Sequence, residues 1–146
     1  MRLARRLGMG LGLLLYSSLT LVSVQAQSGW HVERTIQIGG IGGMDYLTVD
    51  SANHLLYVPR STHTLVIDAV SGKTMGDIPG QKVAHGVAIV PKLNRGFITD
   101  GGGTGSVTVF DLKTNVILGI LKALPDADGI IYDPGTDRIL VSAGDS

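Results

Sequence analysis

A chain of 146 residues with 21 Gly, 5 Pro and no Cys has little helix-building character. Its 12 basic and 12 acidic residues cancel, which argues against a basic nucleic-acid arm or an acidic tail. Hydrophobic residues at 44% against charged residues at 16% exclude a disordered chain, and the lack of cysteine excludes a disulfide scaffold, a thiolate zinc site and a thiol nucleophile.

The chain opens on Arg2, Arg5 and Arg6, followed by a mostly apolar run from Leu7 to Val24 that ends in Val24-Gln25-Ala26. A basic start, an apolar middle and small residues at the exit predict a secretory signal over 1–26, cleaved after Ala26. Cleavage leaves no stable membrane span and places the mature chain in the periplasm or outside the cell; the alternative is retention of the run as an anchor. Three of the twelve basic residues go with the signal, leaving nine against twelve acids, a net charge of −3. Eleven of those acids are Asp and only Glu33 is Glu. Asp bonds its own nearby backbone in turns, whereas Glu favours helices, so the mature part reads as strands joined by turns.

The mature part repeats. Tyr46–Asp50 falls on Gly86–Val90 at an offset of 40 and on Gly129–Asp133 at a further 43. Leu56-Tyr57-Val58, Gly96-Phe97-Ile98 and Ile139-Leu140-Val141 follow the same offsets. Each unit is four short apolar runs, A to D, separated by turn residues. Run A is 47–49, 87–89 and 130–132; run C is 65–67 and 107–110; run D is 73–78 and 116–121. The turns Asp50–Asn53, Val90–Asn94 and Asp133–Asp137 join A to B with Pro, Asn and Asp, which suit turn geometry. Short Val- and Ile-rich strands at a period near 40 predict an all-β chain of four-stranded antiparallel β-propeller blades. A β-sandwich is the competing all-β reading, but it does not account for the matched cassettes.

The expected organisation is a lone D strand over 30–38, blade one over 45–78, blade two over 85–121 and a half blade over 128–146. A D strand at the start completes the last blade of a closed ring. Two and a half blades are too few to close one, so the pattern predicts an N-terminal piece of a longer protein whose C-terminal blades close the ring.

The stretches Tyr57-Val58-Pro59-Arg60 with Val66–Lys73, and Phe97-Ile98-Thr99-Asp100 with Val109–Thr114, resemble the YVTN repeat of YncE-like secreted β-propellers. The resemblance runs from about Val32 to the end. It implies a seven-bladed propeller in the full-length protein and a binding role, and brings no shared catalytic motif.

In an up-and-down blade the D–A and B–C loops share one face of the disc. Asp45, His85 and Asp128 occupy equivalent positions before run A, which lines the central channel, so they are expected to ring one mouth of it. Arg60, His63 and Asp100 are expected in the outer loops of the same face. Two carboxylates and an imidazole at a mouth suit a divalent metal or a cationic ligand; the same residue types also cap backbone N–H groups at turns. The runs Gly39–Gly43 and Asp100–Gly105 are glycine-rich but precede strands and carry no following Lys, so they read as connections and not phosphate loops.

The functional expectation is a non-catalytic binding or scaffold module with no evident cofactor, working on an unidentified ligand or protein through its loop-rich face. The alternative is a metal-dependent propeller hydrolase or lactonase with its site at the channel mouth. Aromatic residues lie in strands without basic neighbours, so nucleic acid is not supported as a partner.

Overall fold

The computed structural model describes residues 29–144. The expected signal over 1–26 therefore lies outside the described residues. The chain divides into Met1–Arg34 and Thr35–Ser146. The described part of the first unit, residues 29–34, is exposed and has no regular structure.

The second unit is all-β and antiparallel. Its strands are β1 (Thr48–Asp50), β2 (Leu55–Pro59), β3 (Ser61–Asp68), β4 (Thr74–Val90), β5 (Arg95–Asp100), β6 (Ser106–Asp111), β7 (Ile117–Lys122), β8 (Ala127–Asp133) and β9 (Arg138–Ala143). The first seven form one sheet in chain order, and β8 and β9 form a hairpin. Among the described residues no helix is long and apolar enough to cross a membrane.

Runs A, B and C lie in the expected strands, but D and A do not separate as expected. Run D of the first unit and run A of the second are one continuous strand, β4. Its first half pairs with β3 (Thr64 opposite Ile78) and its second half with β5 (Ala88 opposite Phe97). The change of partner falls at Ala84, which is paired with Ser61 on one side and Asp100 on the other. Backbone bonded on both sides stays extended, so the predicted loop is absorbed into the strand. Between the halves the register slips at Pro79–Val83, and Gly80 takes φ +93°. Residues 30–38 form no strand, in contrast to the expected lone D strand. A strand exists through its neighbour, and here Ile36 instead packs on Gly72, where an added Cβ would meet its Cγ2 at 3.2 Å.

The turns follow their residue chemistry. Asp50 accepts the N–H groups of Ala52 and Asn53; Asp68 those of Val70 and Ser71; Asp111 those of Lys113 and Thr114. His54, Asn94 and Asp137 hold the same left-handed turn position in the three units, at φ 55°, 52° and 59°. Asn and Asp tolerate that region best among non-glycine residues.

The two halves of the seven-stranded sheet meet in one core. Tyr57, Val66 and Ile78 come from the first half; Ala84, Val87, Ile98 and Phe110 come from the second. The Tyr57 and Phe110 rings lie 5.7 Å apart at 51°. Apolar side chains also stay uncovered: Ile117, Leu118, Ile120 and Leu121 on β7, with Ile131, Leu140 and Val141 on the hairpin. A cleft of about 660 Å³ lies beside them, lined by Phe97, Val107, Leu121, Leu124, Ile139 and Val141.

Candidate functional site

Hydroxyl groups tie β1 to β4 and β5 to β8. Thr48 Oγ1 on β1 donates to the Val87 carbonyl on β4 at 2.6 Å. Thr99 Oγ1 donates to the Asp128 carbonyl on β8 at 2.5 Å and accepts the Gly86 N–H at 2.9 Å. Ser142 repeats the second contact one unit on, accepting the Gly129 N–H at 3.0 Å. His85 and Asp128 each stand directly before one of these clamped glycines.

The positions before run A converge. His85 Nδ1 is 2.7 Å from Asp45 Oδ2 and 3.8 Å from Asp128 Oδ1. One ligand atom from each of the three side chains lies within 4.8 Å of the others. His85 keeps 18% of its side-chain surface exposed, while Asp45 and Asp128 are more open. Two buried polar atoms in this group have no hydrogen-bond partner, His85 Nε2 and Asp128 Oδ1. A buried polar atom left unpaired costs free energy, so each of these two atoms calls for a partner.

The other expected site residues go elsewhere. Arg60 is buried and spends its guanidinium on backbone, donating to the carbonyls of Gly39, Ile41 and Gly42 at 2.8–3.1 Å. Carbonyls of the Gly39–Gly43 run thus face a cation, the reverse of a phosphate loop, which aims N–H groups at an anion. Asp100 is buried too, and its carboxylate accepts the N–H groups of Lys82, Val83 and Gly102. These two equivalent residues carry opposite charges and do the same work, each tying down the segment that leads to a site residue (Asp45 or His85). His63 Nδ1 sits 3.2 Å from the Thr62 hydroxyl on the surface.

Sequence reasoning missed Asp126. Its Oδ1 lies 4.0 Å from His85 Nε2, on the far side of the ring from Asp45. Asp126 holds φ +52° in the connection before β8. The signal available in sequence was Pro125 followed by an acid, a turn pattern, and it says nothing of a histidine forty residues earlier.

No family model and no curated protein sequence matches the chain. Among solved structures, Kuenenia stuttgartiensis hydrazine synthase is similar, with a TM-score of 0.65 at 16% identity over 78% of this chain. The chain spans 33% of that protein's length. Likeness at such identity concerns the fold.

Proposed function

We infer that this chain supplies consecutive blades of an exported YVTN-like β-propeller and acts as a binding module, taking a divalent cation or a cationic group at Asp45, His85 and Asp128. The observation that carries the reading is the meeting of three side chains from equivalent positions in three successive units, one of them, Asp128, with an unpartnered buried carboxylate oxygen. A residue that only caps its own turn has no reason to face its counterparts in the next units; a ligand on the repeat axis gives one. The hydroxyl bonds between successive units, Thr48 to Val87 and Thr99 to Asp128, and the uncovered apolar flanks on β7 and β9 support stacked units with further neighbours. One imidazole nitrogen with two carboxylates suits zinc or manganese, with the remaining coordination positions left to water or to a ligand group.

Calorimetric titration of the 146-residue chain with zinc and with manganese tests this. Saturable heat for one site is expected, lost in His85→Ala and in Asp45→Ala. Heat that is absent with both metals overturns the cation reading.

A further inference from the structure

We propose that Asp126 is a positioning residue for His85: it takes the ring's Nε2–H and thereby turns the Nδ1 lone pair toward a cation held with Asp45 and Asp128. The inference rests on the cation reading above and names a further member of that site.

The imidazole is bracketed by carboxylates. Asp45 and Asp128 stand on the Nδ1 side, and Asp126 stands 4.0 Å from Nε2. Nε2 is buried and bonds nothing. The 2.7 Å contact of Nδ1 with the Asp45 carboxylate goes with a ring proton on Nδ1. A cation at Nδ1 requires the other tautomer, with the proton on Nε2. The carboxylate on that side is Asp126, and closing 4.0 Å to a hydrogen bond takes about 1 Å of side-chain movement.

The surroundings keep that gap open. A Cβ on Gly101 would stand 2.7 Å from His85 Nε2 and 3.2 Å from Asp126 Oδ1, filling the space between them. A Cβ on Gly144 would collide with Asp126 Oδ2. The Gly144 N–H also donates to the Asp126 carbonyl at 2.9 Å. Two glycines at equivalent positions of successive units therefore form a slot for this carboxylate. Its left-handed backbone points it there.

The test is zinc calorimetry on the full 146-residue chain, comparing wild type, Asp126→Gly and Asp126→Asn. Glycine keeps the left-handed backbone at no cost, so it removes the carboxylate without breaking the turn. Asparagine still offers an acceptor oxygen and serves as the conservative rescue. Expected are a 10–100-fold weaker zinc affinity for Asp126→Gly and near wild-type affinity for Asp126→Asn. Ring ¹⁵N shifts of His85 in the zinc-loaded chain should report the proton on Nε2. If wild type binds zinc and Asp126→Gly binds it equally well, the role of Asp126 falls and the cation reading stands. Equal losses in Asp126→Gly and Asp126→Asn, or a zinc-loaded His85 ring with its proton on Nδ1, make Asp126 a ligand or a fold residue and overturn the proposal. Wild type without zinc binding overturns the role of Asp126, and wild type that binds neither zinc nor manganese removes the cation reading as well.

Discussion

Thr99 and Gly86 are joined across β4 and β5: the Thr99 hydroxyl accepts the Gly86 N–H at 2.9 Å. The same hydroxyl gives its proton to Asp128 O, so one fully buried atom ties the residue after His85 to the backbone of Asp128. Thr99→Val keeps the shape and removes the bonds. It leaves the Gly86 N–H and the Asp128 carbonyl short of a partner, at about 1–3 kcal/mol for each group left unsatisfied. Urea denaturation should show that loss, together with weaker cation binding. Ser142→Ala, at the equivalent but exposed position, should cost less, because water replaces its hydroxyl.

Phe110 packs its ring over Gly96 on the neighbouring strand, so closely that a Cβ on Gly96 would overlap ring carbons. The two positions are complementary in volume. Phe110→Ala opens a cavity in the shared core and is expected to cost about 3–5 kcal/mol. Gly96→Ala forces the ring out and should be destabilising as well. The pair Gly96→Ala with Phe110→Leu should recover part of the loss, measured as a positive coupling in a double-mutant cycle.

The repeat made the strands and the three converging side chains legible, because offsets of 40 and 43 carry both core residues and the positions before run A. The Asp-based turns were legible for a local reason: Asp68 and Asp111 bond backbone two and three residues on. Long-range matters were not. Nothing in Pro79–Val83 signals that two strands fuse into β4, since the extended path is held by pairing with both Ser61 and Asp100. Arg60 and Asp100 look like solvent-facing loop charges in sequence. They are buried because glycine-rich backbone with unpaired carbonyls, or a bend with unpaired N–H groups, comes within their reach. Asp126 escaped because its relation to His85 passes through a gap left by Gly101, and an absent side chain leaves no pattern.

Tyr57 sets an alkaline limit. Its hydroxyl is buried with no partner, and burial, helped by the nearby Asp50 carboxylate, pushes its pKa from 10.0 up to about 12. The folded chain therefore holds this proton more tightly than the unfolded chain. The contribution is fully present below pH 10 and is lost as pH rises through about 12. Thermal melts from pH 8 to 12 should fall steeply over that window. Tyr57→Phe should flatten the fall, and at pH 7 it should be at least as stable as wild type, since it discards an unpaired buried hydroxyl.

Acid acts through the turns. Asp68 is held below its ordinary value of 3.8 chiefly by the Ser71 N–H, and Asp133 chiefly by the Thr136 hydroxyl. For Asp111, partial burial pushes upward, but the Thr114 and Lys113 N–H groups, the Thr114 hydroxyl and Arg95 together outweigh it and lower the pKa. Each carboxylate binds its proton less readily folded than unfolded, so its contribution is present above 3.8 and is lost as pH falls below it through the lowered values. Melting temperature should thus stay level from pH 7 down to the ordinary aspartate value and drop beneath it. Asparagine at these positions keeps an acceptor for the same N–H groups but carries no charge to titrate. The triple variant Asp68→Asn, Asp111→Asn, Asp133→Asn should melt somewhat lower at pH 7 and lose less between pH 4 and pH 2.5 than wild type. An acid profile identical in the two chains would place the acid sensitivity outside the turns.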